Sequence, residues 1–383
     1  MEVQVRTRLY DDLALLGIHL LLTLVFNFLT TAGAIIADRY RILREVGLGT
    51  FGRVVECFDL KHANRPSGRT RQQQQQQHRG ADPHMVAIKV VRNVKRYYES
   101  ALIEAGILKE VNRRGGRGLT HCVVMHNAFT FDKHLCMVME NLGPSLYDFL
   151  KKHQYQPFPM VCIQDFAIQL LETLEFLHHA GLIHSDLKIE NILLMNDREV
   201  TYGNQRVPES TRIKVIDFGG ACYDNDKKSS LINTRQYRAP EVILGTGWSM
   251  PSDMWSAGCI LAELYRGELL FATHDNLEHL ALFERMIGPF PRRMLKKAKS
   301  KSELARDAFG SNGHHRMDRV LPAENASFVK TAVSLEAIVR NDEDSWFLSL
   351  LRKILVIDPL ERATAHECLQ YLAYIRRDVV RYN

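Results

Sequence analysis

The sequence predicts an α+β protein of two lobes, a β-rich first lobe and an α-helical second lobe. Residues 39–60 alternate apolar and polar side chains around a glycine cluster, as strands joined by a tight loop do. After Glu140 the apolar residues instead recur at helical spacing. The chain has 383 residues, of which 46% are hydrophobic, so it can bury a core in each lobe. Two such lobes imply a cleft between them.

The composition argues against several classes of protein. With 50 basic and 44 acidic residues the formal charge is +6, an excess too small to indicate nucleic-acid binding, and we expect no direct contact with nucleic acid. The seven cysteines include no C-x-x-C pair. This usage favours reduced thiols inside a cell over a disulfide framework or a zinc site.

The N-terminal segment, residues 1–38, differs from the rest of the chain. Residues 13–37 contain no Lys, Arg, Asp or Glu, and as a helix they would be long enough to cross a bilayer. A cleavable signal peptide has a shorter apolar region, and a span ending here would leave almost no linker before the strand at Arg39. Three interpretations stay open: a membrane anchor, an extension foreign to the native product, and a helix packed on the domain.

The first lobe is assigned to residues 39–140. Residues 61–84 interrupt its strands with a polar stretch that contains six consecutive Gln, and we expect a disordered loop there. The strand "MVAIKVVR" follows, then a helix over residues 95–112, and the buried strand "LCMVME" closes the lobe.

The second lobe, residues 141–383, is predicted to be helical. The stretch "CIQDFAIQLLETLEFLHHAG" places Phe166, Leu170, Leu174 and Leu177 on one face and ends on Gly181, a suitable C-cap. The basic run "PRRMLKKAKSK" is predicted to be a solvated insertion, with nuclear import or docking as the alternative.

The glycine loop "GLGTFGRV", residues 47–54, suits phosphate binding. Gly47, Gly49 and Gly52 carry no side chains, so main-chain N–H groups can approach phosphate oxygens. A plain hairpin turn is the alternative. A dinucleotide-binding turn is excluded because the loop leads into a strand and not into a helix.

Lys89 lies in the otherwise apolar strand "MVAIKVV", where an ammonium group needs an anionic partner. Glu104, in the following helix, can supply one carboxylate, and nucleotide phosphates can accept the remaining N–H bonds. A lysine at a strand edge that points to solvent is the alternative.

The stretch "HSDLKIEN", residues 184–191, contains the groups that phosphoryl transfer requires. Asp186 can accept a hydroxyl proton, and Lys188 can face the transferred phosphoryl group. Asn191 offers an oxygen to Mg²⁺, and Asp217 in "IKVIDFGGA" offers a second. Each carboxylate alone is more often a solvated group or a cap, but the full order and spacing do not arise by chance.

These motifs together resemble the signature of eukaryotic protein kinases, from about residue 40 to the end of the chain. They are "GLGTFGRV", "VAIK" at 86–89, "HSDLKIEN", "DFG" at 217–219 and "APE" at 239–241. "YRAPE" resembles the CMGC group. "THDNLEHLALFERMIGPFP", residues 273–291, resembles the signature of LAMMER-type dual-specificity kinases, with Leu282 and Phe283 in place of Met-Met. We interpret both replacements as packing changes on a docking helix.

The resemblance implies a bilobal eukaryotic protein kinase fold with a family-specific insertion around residues 272–325, and it assigns the site residues. The residues implied in catalysis are Asp186, Lys188, Lys89, Glu104 and Thr234. The residues implied in ATP binding are Val46, Gly47, Gly49, Thr50, Phe51, Gly52, Val54, Ala87, Lys89, Met139, Glu140, Leu142, Asn191, Leu193 and Asp217. Asn191 and Asp217 are the implied Mg²⁺ ligands. Asp253, and Glu241 with Arg362, resemble structural anchors of the family.

Ser185 occupies the position where many kinases carry an Arg that gathers a phosphate of the activation loop. LAMMER-type kinases usually carry Thr there, so the resemblance implies an active enzyme. We predict that phosphorylation of the activation segment, residues 217–241, is not a strict switch. The hydroxyl of Thr234 is predicted to bridge Asp186 and Lys188, with a solvated loop threonine as the alternative.

The resemblance also implies the substrates and the location. LAMMER-type kinases phosphorylate Ser and Thr in arginine/serine-rich splicing factors and autophosphorylate on Tyr, so we expect ATP and Mg²⁺ as cofactors and a monomer in the nucleus or cytoplasm. Membrane anchoring stays open through residues 13–37. The rivals are another CMGC kinase, such as a dual-specificity tyrosine-regulated relative, and a pseudokinase scaffold. The scaffold hypothesis predicts a gap in the catalytic set, and the sequence has none.

Overall fold

The computed structural model describes residues 31–49, 51–63, 84–116 and 120–381. Most of the N-terminal segment, Thr50, and nearly all of the predicted glutamine-rich loop lie outside the described residues. The chain divides into two compact units. The first contains the described residues up to Arg114 together with Val123–Leu142, and the second contains Gly115–Cys122 and the residues from Gly143 onwards.

The first unit is built on an antiparallel sheet that contains six strands among the described residues, in the order β1-β2-β3-β4-β6-β5. The strands are β1 Ile35–Ile36, β2 Tyr40–Leu48, β3 Gly52–Asp59, β4 Met85–Val91, β5 Met125–Phe131 and β6 His134–Glu140. Helix α1, Leu60–Ala63, follows β3, and helix α2, Lys95–Gly115, follows β4.

Both faces of this sheet are covered by apolar residues. One face buries a cluster that includes Ile36, Ile42, Val55 and Ile88. On the other face, residues of β4 and β6 pack against Ala101 and Ala105 of α2. In strand β4, residues Val86, Ile88, Val90 and Val91 are buried, whereas Met85, Ala87 and Lys89 are half-buried.

The sheet begins upstream of the predicted lobe boundary at residue 39. Ile35 and Ile36 pair with Arg41 and Tyr40, and Gly33 N donates to Ile42 O at 2.8 Å. The described end of the apolar segment is thus a strand and not a helix. Among the described residues, no helix is both long and apolar enough to cross a membrane. Residues 1–30, where most of the apolar run lies, are outside the described residues.

The second unit is mainly helical. Its longer helices are α3 Leu146–Lys152, α4 Met160–His179, α6 Pro251–Arg266, α7 Asn276–Met286, α8 Arg292–Lys301, α9 Glu303–Ala308, α11 Ala323–Thr331, α13 Ser345–Ile354 and α14 Ala365–Arg381. Four-residue helices are α5 Pro240–Ile243, α10 Met317–Val320 and α12 Leu335–Ile338, and 3₁₀ turns lie at Ile189–Asn191, Phe218–Gly220, Arg235–Tyr237 and Asp342–Asp344.

Short strand pairs frame the loops of this unit. The pairs are β7 Leu182–Ile183 with β12 Cys222–Tyr223, β8 Ile192–Leu194 with β11 Ile213–Val215, and β9 Glu199–Tyr202 with β10 Gln205–Pro208. The pairing of β8 with β11 places Ile192 opposite Val215. It therefore fixes the residues just outside both strands, Asn191 and Ile216, next to each other.

Helix α6 forms the centre of the helical unit, because nearly all of its residues from Ser252 to Leu264 are buried. The predicted apolar face of α4 is also buried, and that helix is capped at Ala180 with Gly181 in a left-handed conformation directly after it. Leu282 and Phe283 of α7 lie in the same core, as expected for packing residues. All seven cysteines are free thiols, and six of them are buried.

The basic run of residues 291–301 forms the amphipathic helix α8. Met294, Leu295 and Ala298 are buried, whereas Lys296 and Lys297 are exposed. The run is therefore part of the folded unit on one side and solvated on the other.

Candidate active site

The glycine loop joins β2 to β3 and is closed by a hydrogen bond from Gly49 N to Gly52 O at 2.9 Å. Among the described residues, a Cβ on Gly47 or Gly49 would meet no atom closer than 3.6 Å. A Cβ on Gly52 would lie 2.2 Å from Val90 O. The absence of a side chain at Gly52 is thus required by packing against β4, and only the first two glycines keep space open for a ligand.

The ion pair predicted between Lys89 and Glu104 is present. Lys89 Nζ lies 2.8 and 2.9 Å from the two carboxylate oxygens of Glu104. Both side chains are largely buried, so the pair fixes the position of the ammonium group on β4 against helix α2.

Other residues predicted to bind ATP lie on the strands next to Lys89. Val54 pairs with Lys89, and Ala87 pairs with Met139. Glu140, at the end of the interior strand β6, accepts a hydrogen bond from Val124 N at 2.8 Å and pairs with Val86 of β4. Val46 and Phe51 are exposed at the glycine loop, and Leu142 follows β6. Thr50 lies outside the described residues, and Leu193 lies on β8 of the second unit.

The catalytic loop is anchored by Asp253, as the sequence predicts. The buried carboxylate of this α6 residue accepts hydrogen bonds from His184 N at 2.8 Å and Ser185 N at 2.9 Å. His178 Nε2 lies 3.2 Å from the same group. The Asp253 carboxylate therefore holds the loop backbone just before Asp186 through two main-chain N–H groups, and His178 lies beside the same carboxylate.

Asp186, Lys188 and Thr234 form one hydrogen-bonded group. Lys188 Nζ donates to Asp186 Oδ2 at 2.9 Å and to Thr234 Oγ1 at 3.1 Å. Thr234 Oγ1 donates to Asp186 Oδ1 at 2.8 Å. The predicted bridge is present, and the predicted solvated threonine is not observed. Asp186 and Lys188 are partly exposed, so a substrate hydroxyl can reach them.

Asn191 and Asp217 lie at the ends of the paired strands β8 and β11. Ile216 N donates to Asn191 O at 2.9 Å, which brings Asp217 next to Asn191. Asn191 Nδ2 donates to Asp186 O at 2.9 Å, so the side chain presents Oδ1 as a ligand. Asp217 has a left-handed backbone, with φ of 62°, which marks a strained position at a turn.

Two buried pairs support the segment after Thr234. Arg362 Nη1 and Nη2 donate to the two carboxylate oxygens of Glu241 at 2.8 and 2.9 Å, and both side chains are fully buried. Tyr237 donates its hydroxyl to Glu263 at 2.6 Å. Burial raises the pKa of Glu263 to about 7.

Some residues of this region were not found from the sequence. Glu263 contacts the segment that follows Asp217, Asn233 contacts the catalytic loop, and His178 contacts the loop's anchor Asp253, but none of the three belongs to the motifs. The sequence signal for Glu263 is a carboxylate inside the apolar stretch 257–264 of α6, which indicates a buried partner.

Three comparisons bear on the identity of this chain. Residues 40–372 match the model of the protein kinase domain family. The chain is 40% identical to serine/threonine-protein kinase AFC2 of Arabidopsis thaliana, over 92% of this chain and 80% of that protein. It is 38% identical to dual specificity protein kinase CLK2 of Homo sapiens, over 88% and 64%. A solved crystal structure of a kinase domain has a TM-score of 0.76 and 36% identity, and it covers 89% of this chain and 96% of its own.

Proposed function

Because the chain belongs to the protein kinase family, and within it to the LAMMER-type dual-specificity kinases of the CMGC group, we propose that it phosphorylates arginine/serine-rich proteins. The acceptors are Ser and Thr hydroxyls, and Tyr hydroxyls in autophosphorylation. Splicing factors are the substrate class that fits this preference.

In the proposed reaction, Asp186 orients the acceptor hydroxyl and accepts its proton. Its carboxylate is held on Oδ1 by Thr234 and on Oδ2 by Lys188, so it cannot rotate away from the hydroxyl. Lys188 also carries the positive charge nearest to Asp186, and it stabilises the charge on the transferred phosphoryl group. Lys89, fixed by Glu104, binds the α- and β-phosphates of ATP.

The residues present fit ATP and Mg²⁺. One carboxylate, Asp217, and one amide oxygen, Asn191, are hard oxygen ligands of the kind that Mg²⁺ takes together with substrate phosphates. The bound metal would neutralise phosphate charge. The open space at Gly47 and Gly49 fits main-chain contacts to phosphate oxygens.

One observation supports the preference for basic substrates: an exposed carboxylate, Glu190, closely follows Asp186 in the catalytic loop. Glu190, four residues after Asp186, is exposed. Burial, and in addition the negative charge of Glu190, raises the pKa of Glu263 to about 7. A substrate guanidinium group would pair with the exposed carboxylate of Glu190, whereas Glu263 is buried and already accepts from Tyr237.

A separate concave pocket of about 320 Å³ also has acidic residues in its lining. It is lined by Asp275, Glu278 and Glu324, together with the exposed ring of Phe328. Arg235 Nη1 donates to Asn276 Oδ1 at 2.8 Å, so the pocket adjoins the segment that follows Thr234. Its charge is complementary to a second basic residue of an extended substrate.

The location and oligomeric state follow from the same proposal. A monomeric kinase of splicing factors acts in the nucleus or in the cytoplasm. Fractionation of the untagged full chain, with and without alkaline extraction, tests the alternative of membrane anchoring through residues 13–37.

A phosphotransfer assay of the full chain tests the proposed function. Labelled ATP and Mg²⁺ are offered with an arginine-serine repeat peptide, and separately with a peptide in which every Arg is replaced by Gln. We expect a higher kcat/KM for the arginine peptide. Glu190→Gln is expected to lower the ratio of kcat/KM for the arginine peptide to kcat/KM for the glutamine peptide by about tenfold, the value of one hydrogen bond between charged groups.

Asp186→Asn is the blank, because it keeps the size of the side chain and removes the proton acceptor. Equal rates on the two peptides would overturn the substrate class and leave the kinase chemistry in place. A rate no higher than that of Asp186→Asn on both peptides would overturn the proposed reaction.

A further inference from the structure

Ser185 is buried immediately before Asp186, and every polar atom of this residue is hydrogen-bonded. Its backbone is left-handed, with φ of 67°. Its N donates to Asp253 Oδ1 at 2.9 Å, and its hydroxyl donates to Gly220 O at 2.6 Å. Its carbonyl oxygen accepts two bonds from Asn233, from N and from Nδ2, both at 2.9 Å.

Asn233 is buried as well and is held in a left-handed conformation, with φ of 60°. Asparagine tolerates this conformation better than other residues with a Cβ, apart from aspartate. Its Nδ2 also lies 3.3 Å from Ser256 Oγ, and its carbonyl oxygen accepts from Arg238 Nη2 at 2.9 Å. The side-chain amide is therefore held by Ser185 and by Ser256 of α6, and the main-chain carbonyl is held by Arg238.

The carbonyl of Ser185 belongs to the peptide group that leads into Asp186. The N–H of that same peptide group donates to His184 Nδ1 at 3.3 Å. Asn233 thus holds the oxygen side of the peptide, while His184 holds the nitrogen side. Thr234, the next residue after Asn233, holds the carboxylate of Asp186. Two consecutive residues therefore fix both the backbone and the side chain of Asp186.

We propose that Asn233 is a positioning residue for Asp186, and that with Ser185 it forms an uncharged clamp that replaces a phosphate-dependent one. An Arg at position 185 would carry a charge that needs an anion on the activation segment. Asn233 instead donates two neutral hydrogen bonds to the Ser185 carbonyl in a buried site. The clamp is complete in the unmodified chain.

The variant Asn233→Asp tests the side-chain amide most directly. Aspartate has nearly the same shape and also tolerates the left-handed backbone, but its carboxylate would face the carbonyl oxygen of Ser185. We expect kcat at about pH 8 to fall about tenfold or more, because two oxygen atoms would then repel each other where a hydrogen bond stood. The KM for ATP should stay unchanged.

A pH profile separates positioning from general destabilisation. A protonated carboxyl group can donate to the Ser185 carbonyl, so the ratio of variant to wild-type kcat should rise as the pH falls from about 8 to about 6. The charged or titratable groups around this site are Asp253, Arg238, His184, Asp186 and Lys188. All of them are shared with the wild type, so the ratio isolates the new carboxyl group.

Asn233→Gly is the second variant, because it keeps the left-handed backbone and loses only the amide. This variant should lower kcat with no new pH dependence. It tests the role of the amide even if Asn233→Asp does not fold. Asn341→Asp, the same change at an exposed helix cap, is the matched control and should leave kcat as it is. Phosphatase-treated wild type, with dephosphorylation verified by mass spectrometry, should keep its kcat.

Three results would overturn the proposal. The first is a wild-type kcat in Asn233→Gly with a lowered melting temperature, which would make the residue only structural. The second is a flat pH ratio for a folded Asn233→Asp. The third is loss of kcat on phosphatase treatment, which would show that a phosphate is needed after all. If the untreated wild type showed no kinase activity, the proposed reaction itself would be rejected.

Discussion

Thr234 contacts one oxygen of Asp186 twice: its main-chain N lies 2.9 Å and its hydroxyl 2.8 Å from Asp186 Oδ1. The other oxygen, Oδ2, accepts from Lys188. The carboxylate is thus held from two sides by the activation segment and the catalytic loop. Thr234 lies outside the kinase motifs, yet its hydroxyl is as close to the Asp186 carboxylate as the ammonium group of the motif residue Lys188.

We expect Thr234→Val to lower kcat about tenfold, the cost of a lost hydrogen bond to a charged group. Valine keeps the branched shape, and the main-chain bond to Asp186 stays. Thr234→Ser, which keeps the hydroxyl, is the control and should restore most of the rate. Steady-state kinetics with a peptide substrate measure both. Equal kcat for the valine variant and wild type would contradict a role of this hydroxyl in turnover.

The glycines of the loop should separate stability from binding. Gly52→Ala is expected to lower the free energy of unfolding by about 3 kcal/mol, because its Cβ would collide with the carbonyl of Val90. The new Cβ of Gly49→Ala would come no closer than 3.8 Å to any atom of the described residues, so this variant should keep its melting temperature while its KM for ATP rises. Thermal melting and ATP titration of both variants check this. A stable Gly52→Ala would refute the packing role.

Phosphorylation sites in the activation segment are expected to be dispensable. Ser229 is exposed and its hydroxyl bonds only within its own turn, to Leu231 O at 3.0 Å, so Ser229→Ala and Ser230→Ala should retain most activity. Tyr237 is buried against Glu263 and is not accessible to a kinase in this conformation. Tyr237→Phe should keep its rate but melt at a lower temperature, since Glu263 loses a donor. Complete inactivity of either serine variant would show that the segment needs phosphate.

The buried side chains of His279 and Glu263 should make the stability of the protein depend on pH in opposite directions. Burial lowers the pKa of His279 from 6.5 to about 3. Between these values the unfolded chain binds a proton that the folded chain does not, so His279 makes the protein less stable as the pH falls below 6.5. Burial raises the pKa of Glu263 from 4.5 to about 7, so this group makes the protein less stable as the pH rises through that range.

The variants His279→Leu and Glu263→Gln separate the two effects. His279→Leu should flatten the loss of stability on acidification, and Glu263→Gln should flatten the loss towards neutral pH. Melting temperatures of the full chain at closely spaced pH values measure both slopes. If the melting temperature of His279→Leu fell on acidification as steeply as that of the wild type, groups other than His279 would determine the acid sensitivity.

The pair of Arg362 and Glu241 should be required for folding of the helical unit. Arg362→Met leaves the Glu241 carboxylate buried without its bidentate partner, and we expect a loss of about 3–5 kcal/mol in the free energy of unfolding. The double variant Glu241→Gln with Arg362→Met should recover part of this loss. Chemical denaturation measures Arg362→Met, Glu241→Gln and the double variant. If the loss of stability in the double variant equalled the sum of the losses in the two single variants, a buried unpaired charge would not be the cause.

The active-site residues could be predicted because their signals are local. The glycine spacing, the lysine in an apolar strand and the offsets within "HSDLKIEN" all lie within a few residues of one another. Thr234 was also found, through its place before Tyr237. The kinase fold is confirmed by the family match and by the solved kinase domain. The assigned roles of the site residues stay predictions.

Asn233 and the role of Gly52 could not be predicted for a physical reason. Asn233 and Ser185 are 48 residues apart, and a polar residue in a loop gives no sign of its partner. Gly52 belongs to the motif, but its close neighbour Val90 lies on another strand. Both contacts depend on how distant segments pack, and neither hydrophobic periodicity nor turn chemistry reports that.

Strand β1 bears on where this chain can be shortened for laboratory work. Ile42 exchanges main-chain hydrogen bonds with Gly33 and Ala34, so a fragment that starts at Asp38 would leave β2 with a bare outer edge. Such edges recruit strands from neighbouring molecules. A fragment that starts at Thr31 or earlier keeps the edge covered. Poor yield of a shorter fragment would then report self-association through this edge and not an inability of the kinase to fold.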